Sequence, residues 1–317
     1  MPVDSELLPL LETINKSMPL PTDLPTTALR AAIEGSAEKR RLLTETPPEV
    51  AEIKNATVSV GGQEEIPVRI YIPQGLGPFP AHIYFHTGGF WTGTLDQCDW
   101  WCRELCAGAS CIVISVGYRL APEYPFPVAS EDGYAALCWA VQNHDLLCID
   151  STHISVGGAS SGGNLATVVA MMARDRGTPA LCFQLLELPA TDLLTLDHAS
   201  IQEYGEGYVL TRAALAHIRS LYLKEPIQGT HPYASPLYAS DLSRMPPTFI
   251  MTAECDPLRD EGEAYARRLQ EAGVPTTVRR WDGLFHGSEY LTKISPTARQ
   301  FRATAIQALR TAYTATH

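Results

Sequence analysis

The 317-residue sequence is short of positive charge, with 24 Lys and Arg against 35 Asp and Glu and a formal net charge of -11. Such a surface repels phosphate backbones and anionic headgroups, which argues against a nucleic-acid partner and against adsorption to a membrane. No apolar run reaches the roughly 18 residues needed to cross a bilayer. The opening stretch, MPVDSELLPLLETINKSMPLP, lacks the basic segment and unbroken apolar segment of an export signal, so a cytoplasmic location is expected. Cysteine is also sparse. Eight in a chain this long make no disulfide scaffold and would stay reduced in the cytoplasm. Cys98, Cys102 and Cys106 recur at a spacing of four, on one face of a helix. The paired CxxC or HxxxH ligands of a zinc site do not accompany them, so a buried apolar helix face is expected and no metal. There is no internal repeat and no low-complexity tract. What remains, 45% hydrophobic and 19% charged, is the usage of a globular chain with a large core.

The organisation follows from periodicity. Residues 1 to about 45 place Leu7, Leu8, Leu10 and Leu11, then Leu29, Ala32 and Ile33, at helical spacing, with the Pro-rich MPLPTDLP between them. Two amphipathic helices are predicted. TVSV and VRIYIP flank a polar GGQEEIP segment and read as an antiparallel pair. Then AHIYFH, CIVISVGY, ISVGG, ALCFQLLEL, PTFIMTA and PTTVRRW alternate with helix-length segments, the pattern of a mostly parallel sheet with helices on both faces. Such sheets carry ligand sites at the carboxyl ends of their strands. The segment from about 191 to 238 breaks the alternation. It is rich in Tyr and His, holds a helical TRAALAHIRSLYL, and reads as an insertion that forms a lid with the N-terminal helices.

The strongest local signal is ISVGGASSGGNLA, where Gly158, Ser160 and Gly162 satisfy G-x-S-x-G between a strand and a helix. A nucleophile on so sharp a turn needs small neighbours two residues to either side. Centring the motif on Ser161 would put Ala159 at the first glycine position, so Ser160 is favoured. In YFHTGGFWTG, Gly88 and Gly89 leave backbone N–H groups open which, with the N–H of Ser161, can hydrogen-bond a tetrahedral oxyanion. His86 reads as an organiser of that loop. A serine hydroxyl needs a base held by an acid, in the chain order Ser, Asp or Glu, His for this architecture. PTFIMTA ends in Glu254, Cys255 and Asp256, and PTTVRRW is followed by DGLFHG with His286. Asp256 ranks above Glu254, and above Asp260, which reads as a first-turn helix acid.

GYRLAPEYPFPVASEDGYAAL, GGASSGGNLA, SPLYASDLSRMPP, AECDPLRDEGEAYARRLQEAGV and GLFHG, in this order over roughly residues 80 to 290, together resemble the hormone-sensitive-lipase-like branch of the α/β-hydrolases. That branch includes bacterial carboxylesterases and heroin-esterase-like acetylesterases. The resemblance implies an α/β-hydrolase core over residues 46–317, with a helical cap made by residues 1–45 and the 191–238 insertion. It implies a carboxylesterase with Ser160 as nucleophile, Asp256 as acid, His286 as base, and Gly88, Gly89 and Ser161 as oxyanion hole. No cofactor is implied, the partner is a small-molecule ester, and a homodimer is compatible. Two departures stand out. Thr87 replaces the first glycine of the family's usual HGGG, and Ala159 with Ser161 replaces the Asp-Ser-Ala order of GDSAGG. The oxyanion amides should survive, while rate or substrate choice is affected more than reaction class.

Other classes fit less well. As a dinucleotide loop, GGASSGGN would follow the first strand, not one near residue 156, and no Tyr stands four residues before a Lys. A non-catalytic binding protein on the same fold would lack part of the triad, whereas His286 is present. Lactones and activated amides remain open as substrates. Phe90, Trp91, Tyr204, Tyr208 and Phe285 are candidate pocket residues whose rings would shorten the acyl site and favour short-chain esters.

Overall fold

A computed structural model describes residues 3–17 and 25–315. The chain forms an eight-stranded sheet of order β1-β2-β4-β3-β5-β6-β7-β8. The strands are β1 (Glu52–Ser59), β2 (Glu65–Ile72), β3 (Phe79–Phe85), β4 (Ile112–Val116), β5 (Ile149–Ala159), β6 (Phe183–Glu187), β7 (Thr248–Cys255) and β8 (Thr276–Phe285). The expected hairpin is present, β1 running antiparallel to β2. Because β2 is also antiparallel to β4 and the pairs from β3 to β8 are parallel, β2 alone runs against the other seven. The helices are α1 (Leu8–Ser17), α2 (Thr26–Arg41), α3 (Asp99–Ala109), α4 (Val128–Gln142), α5 (His144–Leu147), α6 (Ser161–Arg176), α7 (Ala199–Tyr204), α8 (Arg212–Tyr222), α9 (Arg259–Glu271) and α10 (Pro296–Thr314). Most of the Pro-rich break predicted between the first two helices, residues 18–24, lies outside the described residues.

The continuous apolar runs of the central strands are explained by helices on both sheet faces. Ala81, Ile83, Phe85, Ile112, Ile114 and Val116 face one core, shared with Leu165, Val169, Tyr265 and Leu269 of α6 and α9. Tyr84, Val113, Leu185, Met251 and Ala253 face the other, shared with Trp101, Phe301, Ala305 and Leu309 of α3 and α10. The period-two split is the pleat of the strands. Cys98, Cys102 and Cys106 are buried in this second core, as an apolar helix face would be. Local chemistry sets helix starts. Thr211 Oγ1 accepts from the N–H of Ala214 to open α8, and Ser295 Oγ accepts from Ala298 to open α10, with Pro296 at its first position.

The two stretches outside the βα alternation lie against one another and against the carboxyl ends of the strands. Asn15 of α1 donates to the Gly207 carbonyl at 2.6 Å, and Arg30 of α2 donates to the carbonyls of Trp91 and Ala121. Ile218 of α8 sits directly over Gly89. Beneath them, Arg119 after β4 is gripped by Asp132 of α4. Its Nε and Nη2 donate to both carboxylate oxygens, and its backbone N–H donates to Oδ2 at 2.9 Å. The Asp132 side chain is fully buried. The neighbouring Tyr118 donates to the His86 carbonyl at 2.9 Å, so this grip also steadies the loop that enters the site. Asp132→Ala would leave Arg119 without its buried partner, and a loss of about 3–5 kcal/mol is expected. Chemical denaturation checks this, and a loss below about 1 kcal/mol would show the pair to be dispensable.

Candidate active site

The turn from β5 into α6 is built around one unusual residue. Ser160 has φ 56° and ψ -117°, a conformation that costs a non-glycine residue on the order of 1–3 kcal/mol and is held only where the surroundings impose it. Its N–H donates to the Glu187 carbonyl at 2.8 Å, and its carbonyl accepts from the N–H groups of Asn164 and Ala190. The flanking glycines are needed for space. A Cβ on Gly158 would lie 2.5 Å from the Phe85 carbonyl oxygen, and one on Gly162 would lie 2.0 Å from the same atom. The strand-turn-helix geometry therefore pushes the Ser160 hydroxyl out beyond the sheet.

His286, just past β8, meets that hydroxyl, with Nε2 3.1 Å from Ser160 Oγ. On the other side of the ring, Nδ1 lies 2.8 Å from Asp256 Oδ2, just past β7. Asp256 is 1% exposed, and its Oδ1 accepts from the N–H of Leu258 at 2.8 Å, which fixes the carboxylate plane. The turn carrying His286 is pinned by Ser288, whose Oγ accepts from the Phe285 N–H and donates to the Phe285 carbonyl. Burial disfavours a charged His286. The Asp256 carboxylate, through its charge and hydrogen bond, and then Glu289 more than offset this, so the imidazole pKa stands above its ordinary value. Such an arrangement can take a proton from a hydroxyl, hold it as an imidazolium and return it.

The competing acids are engaged elsewhere. Glu254 accepts from the Gly283 N–H at 2.9 Å, and Asp260 accepts from the Ser200 N–H at 2.8 Å and from Arg259. His86 is 2% exposed, stacks on Tyr118 at 4.2 Å between ring centroids, and places Nδ1 against the Thr87 carbonyl. Burial lowers its pKa to about 4, so it stays neutral, in the structural position read from sequence. Thr87 contributes its carbonyl to this contact, and Ala159 is buried.

Gly89, Ser160 and Ser161 line a common cavity of about 30 Å³. Gly88 is not among its lining residues. It forms the preceding turn, where its carbonyl accepts from Trp91 and Thr92. Of the five aromatic candidates only Phe90 lines the cavity, and it stacks face to face on the buried Tyr222 of α8 at 3.9 Å. The other four are not among its lining residues. Trp91 lies beside Gly89 without being among the lining residues, its ring edge-to-face with His217 and its carbonyl held by Arg30. Tyr204 and Tyr208 pack edge-to-face on each other, with Arg259 over Tyr204. Phe285 is buried in the second core, one position out of phase with His286. The remaining walls are leucine-rich, with Leu193, Leu196, Leu210, Leu215 and Ile218 from residues 191–238 and Leu258 after β7, beside the charged Asp192, Arg219 and Glu261. Sequence reasoning passed over these residues, although the spacing of Leu215, Ile218 and Tyr222 along TRAALAHIRSLYL carries the signal.

The chain is similar to known proteins over most of its length. A family profile described as the alpha/beta hydrolase fold matches residues 82–289. The chain is 38% identical over 283 residues to carboxylesterase NlhH of Mycobacterium tuberculosis, covering 87% of this chain and 88% of that one. It is 36% identical over 262 residues to ethyl acetate hydrolase of Pseudomonas putida, covering 81% and 82%. The solved structure of a hyperthermophilic esterase from Pyrobaculum calidifontis superposes with a TM-score of 0.94 at 36% identity, covering 99% of this chain and 100% of that one. With the fold, the match over most of its length and these relatives in agreement, the chain belongs to the α/β-hydrolase fold family, in the hormone-sensitive-lipase-like carboxylesterase branch that its motifs resemble.

Proposed function

We propose that the protein hydrolyses short-chain carboxylic esters through an acyl-enzyme, with Ser160 as nucleophile, His286 as base and Asp256 as the acid that orients it. The observation that carries this reading is the hydrogen-bonded line from Ser160 Oγ through His286 to Asp256. Ser160 Oγ attacks the ester carbonyl as its proton passes to His286 Nε2. The carbonyl π electrons move onto oxygen, which the N–H groups of Gly88, Gly89 and Ser161 are proposed to receive. Collapse of the tetrahedral intermediate expels the alkoxide, which takes the proton from Nε2 and leaves as the alcohol. Water then repeats the sequence on the acyl-enzyme and releases the carboxylic acid. Residues 1–45 and 191–238 are proposed to act as a cap, supported by the hydrogen bond that ties α1 to Gly207 and by the position of Ile218 over Gly89.

The short-chain reading rests on the cavity. Its leucine-rich walls suit an acyl tail, and its small size, with Phe90 wedged against Tyr222, limits depth. Glu261, also in its lining, accepts from the N–H groups of Thr191 and Asp192. Among the described residues, no helix is long and apolar enough to cross a membrane.

Ser160→Ala is expected to lower ester turnover by about 10⁴-fold or more with the fold intact, and Asp256→Asn by a similar order. Ser161→Ala should be mild, because only its backbone N–H is invoked. Steady-state kinetics with circular dichroism as a folding control decides this, and a dead Ser161→Ala beside an active Ser160→Ala would reverse the register.

The base must be neutral to accept the serine proton, so kcat/KM falls as pH drops through the free-enzyme pKa of His286. That pKa is raised, which puts the acid limb above about 6.5. A profile on a non-ionising ester that stays flat from about pH 5 to 8 would contradict a histidine base.

Across a p-nitrophenyl series from acetate to palmitate, kcat/KM should be highest for acetyl to hexanoyl esters and fall beyond about eight carbons, because pocket depth limits transition-state binding. A maximum at dodecanoate or longer would overturn the closed-pocket account.

A further inference from the structure

Behind the triad lies a group of ionisable side chains that the mechanism above leaves unused. Glu289 sits three residues after His286, in the turn Ser288–Tyr290, and is 2% exposed. Glu187, the last residue of β6, is 1% exposed and is the residue whose carbonyl holds the Ser160 N–H. Its Oε1 accepts from Trp101 Nε1 at 3.1 Å. The Oε2 atoms of both glutamates are buried with no hydrogen-bond partner among the described residues. Every element packed around them adds to the field. Asp256 and His286 come from the ends of β7 and β8, Tyr84 from β3 and Tyr290 from the turn itself, while Cys98 precedes α3. Arg302 of α10 lies over the rings of Trp100 and Trp101 at 4.2 and 4.8 Å and is paired with Glu104 of α3.

The charge count does not balance if every acid is ionised. Asp256, Glu289, Glu187 and Glu104 would bring four negative charges into a water-poor region against the single guanidinium of Arg302. Burying that excess is costly, and groups so placed retain protons instead. Burial, only partly opposed by the nearby His286, pushes the Glu289 carboxyl up to about 7. Burial also raises Glu187, to about 8, with the Trp101 hydrogen bond opposing and the charge of Glu289 adding to the rise.

We propose that Glu289 is a positioning residue for the catalytic base: it is a second buried carboxylate beside His286, and it competes through charge with Glu187, whose protonation sets how much charge His286 feels. When His286 takes the proton of Ser160, the imidazolium is stabilised by Asp256 through the hydrogen bond and by ionised Glu289 through space. Glu187 acts in the opposite sense. When it is charged, Glu289 retains its own proton and the imidazolium loses its second counter-charge.

The inference rests on the reading of Ser160 and His286 given above, and it has a directional test in the pH dependence of kcat/KM. Glu289→Gln removes a negative charge from beside the imidazole, so the acid limb should move down by about 0.5 to 1 unit, and the plateau kcat should fall by roughly 3- to 10-fold with KM little changed. Glu187→Gln removes the charge that competes with Glu289, so the limb should move up. Glu289→Asp, which keeps the charge, should retain most of the wild-type limb. Opposite shifts support the proposal, since lost packing alone would not separate the two variants by sign. Shifts of the same sign, or an unmoved limb in either variant, overturn it. If Glu289→Gln does not fold, an upward shift in Glu187→Gln supports the proposal and an unmoved or lowered limb overturns it. A wild-type enzyme with no acid limb at all would instead sink the histidine-base reading, which keeps the two failures distinct.

Discussion

The constraint on which the site depends is the backbone of Ser160. A non-glycine residue at φ 56° is unfavourable alone, and three backbone hydrogen bonds, to Glu187, Asn164 and Ala190, hold it there. These bonds tie the serine to the end of β6 and the start of α6. The clearances at Gly158 and Gly162, where a Cβ would strike the Phe85 carbonyl, bring β3 and its oxyanion loop against the same turn. Asp256 and His286 then need only to stand at the ends of β7 and β8 to meet the hydroxyl. The Ser160–His286–Asp256 line is a consequence of strand order, because β5, β6, β7 and β8 are neighbours in the sheet.

Much of this was legible in the sequence because the relevant chemistry is local. The Gly158-x-Ser160-x-Gly162 motif states its own steric requirement, and His286 and Asp256 each follow an apolar strand directly. The central sheet was legible because buried parallel strands read as continuous apolar runs, as CIVISVGY does. The pocket was harder. Trp91 and Phe285 adjoin site residues in sequence and Tyr204 and Tyr208 sit in the stretch expected to cover the site, but a ring's direction depends on pleat phase and on partners contributed from far along the chain. Phe285 is adjacent to His286 and for that reason points to the opposite side. Apart from Leu258, the leucines that line the cavity come from the 191–238 stretch, whose helical period was visible but whose inward face was not.

The pair Glu187 and Glu289 was invisible for a different reason. Nothing in LCFQLLEL or GLFHGSEY marks either acid as buried, since an acid at a strand end or in a turn is ordinarily solvated. Only the fold, by laying α3 and α10 over that end of the sheet, removes the water and leaves both carboxylates with an unpartnered oxygen. The same layer carries Arg302 between Trp100 and Trp101, so the charges behind the base form one group. A site that sequence reads as three residues is in the folded chain a serine, an imidazole and a field of buried acids.

The central claim is that Ser160 is a nucleophile activated by His286. Labelling with a fluorophosphonate tests it most directly, since that reagent phosphonylates an activated serine with loss of fluoride and needs no knowledge of the natural ester. The account predicts one adduct, mapping to the peptide that contains Ser160, and no labelling once His286 is replaced by Ala. Labelling elsewhere on the chain, or no labelling of the folded wild-type protein, would contradict it.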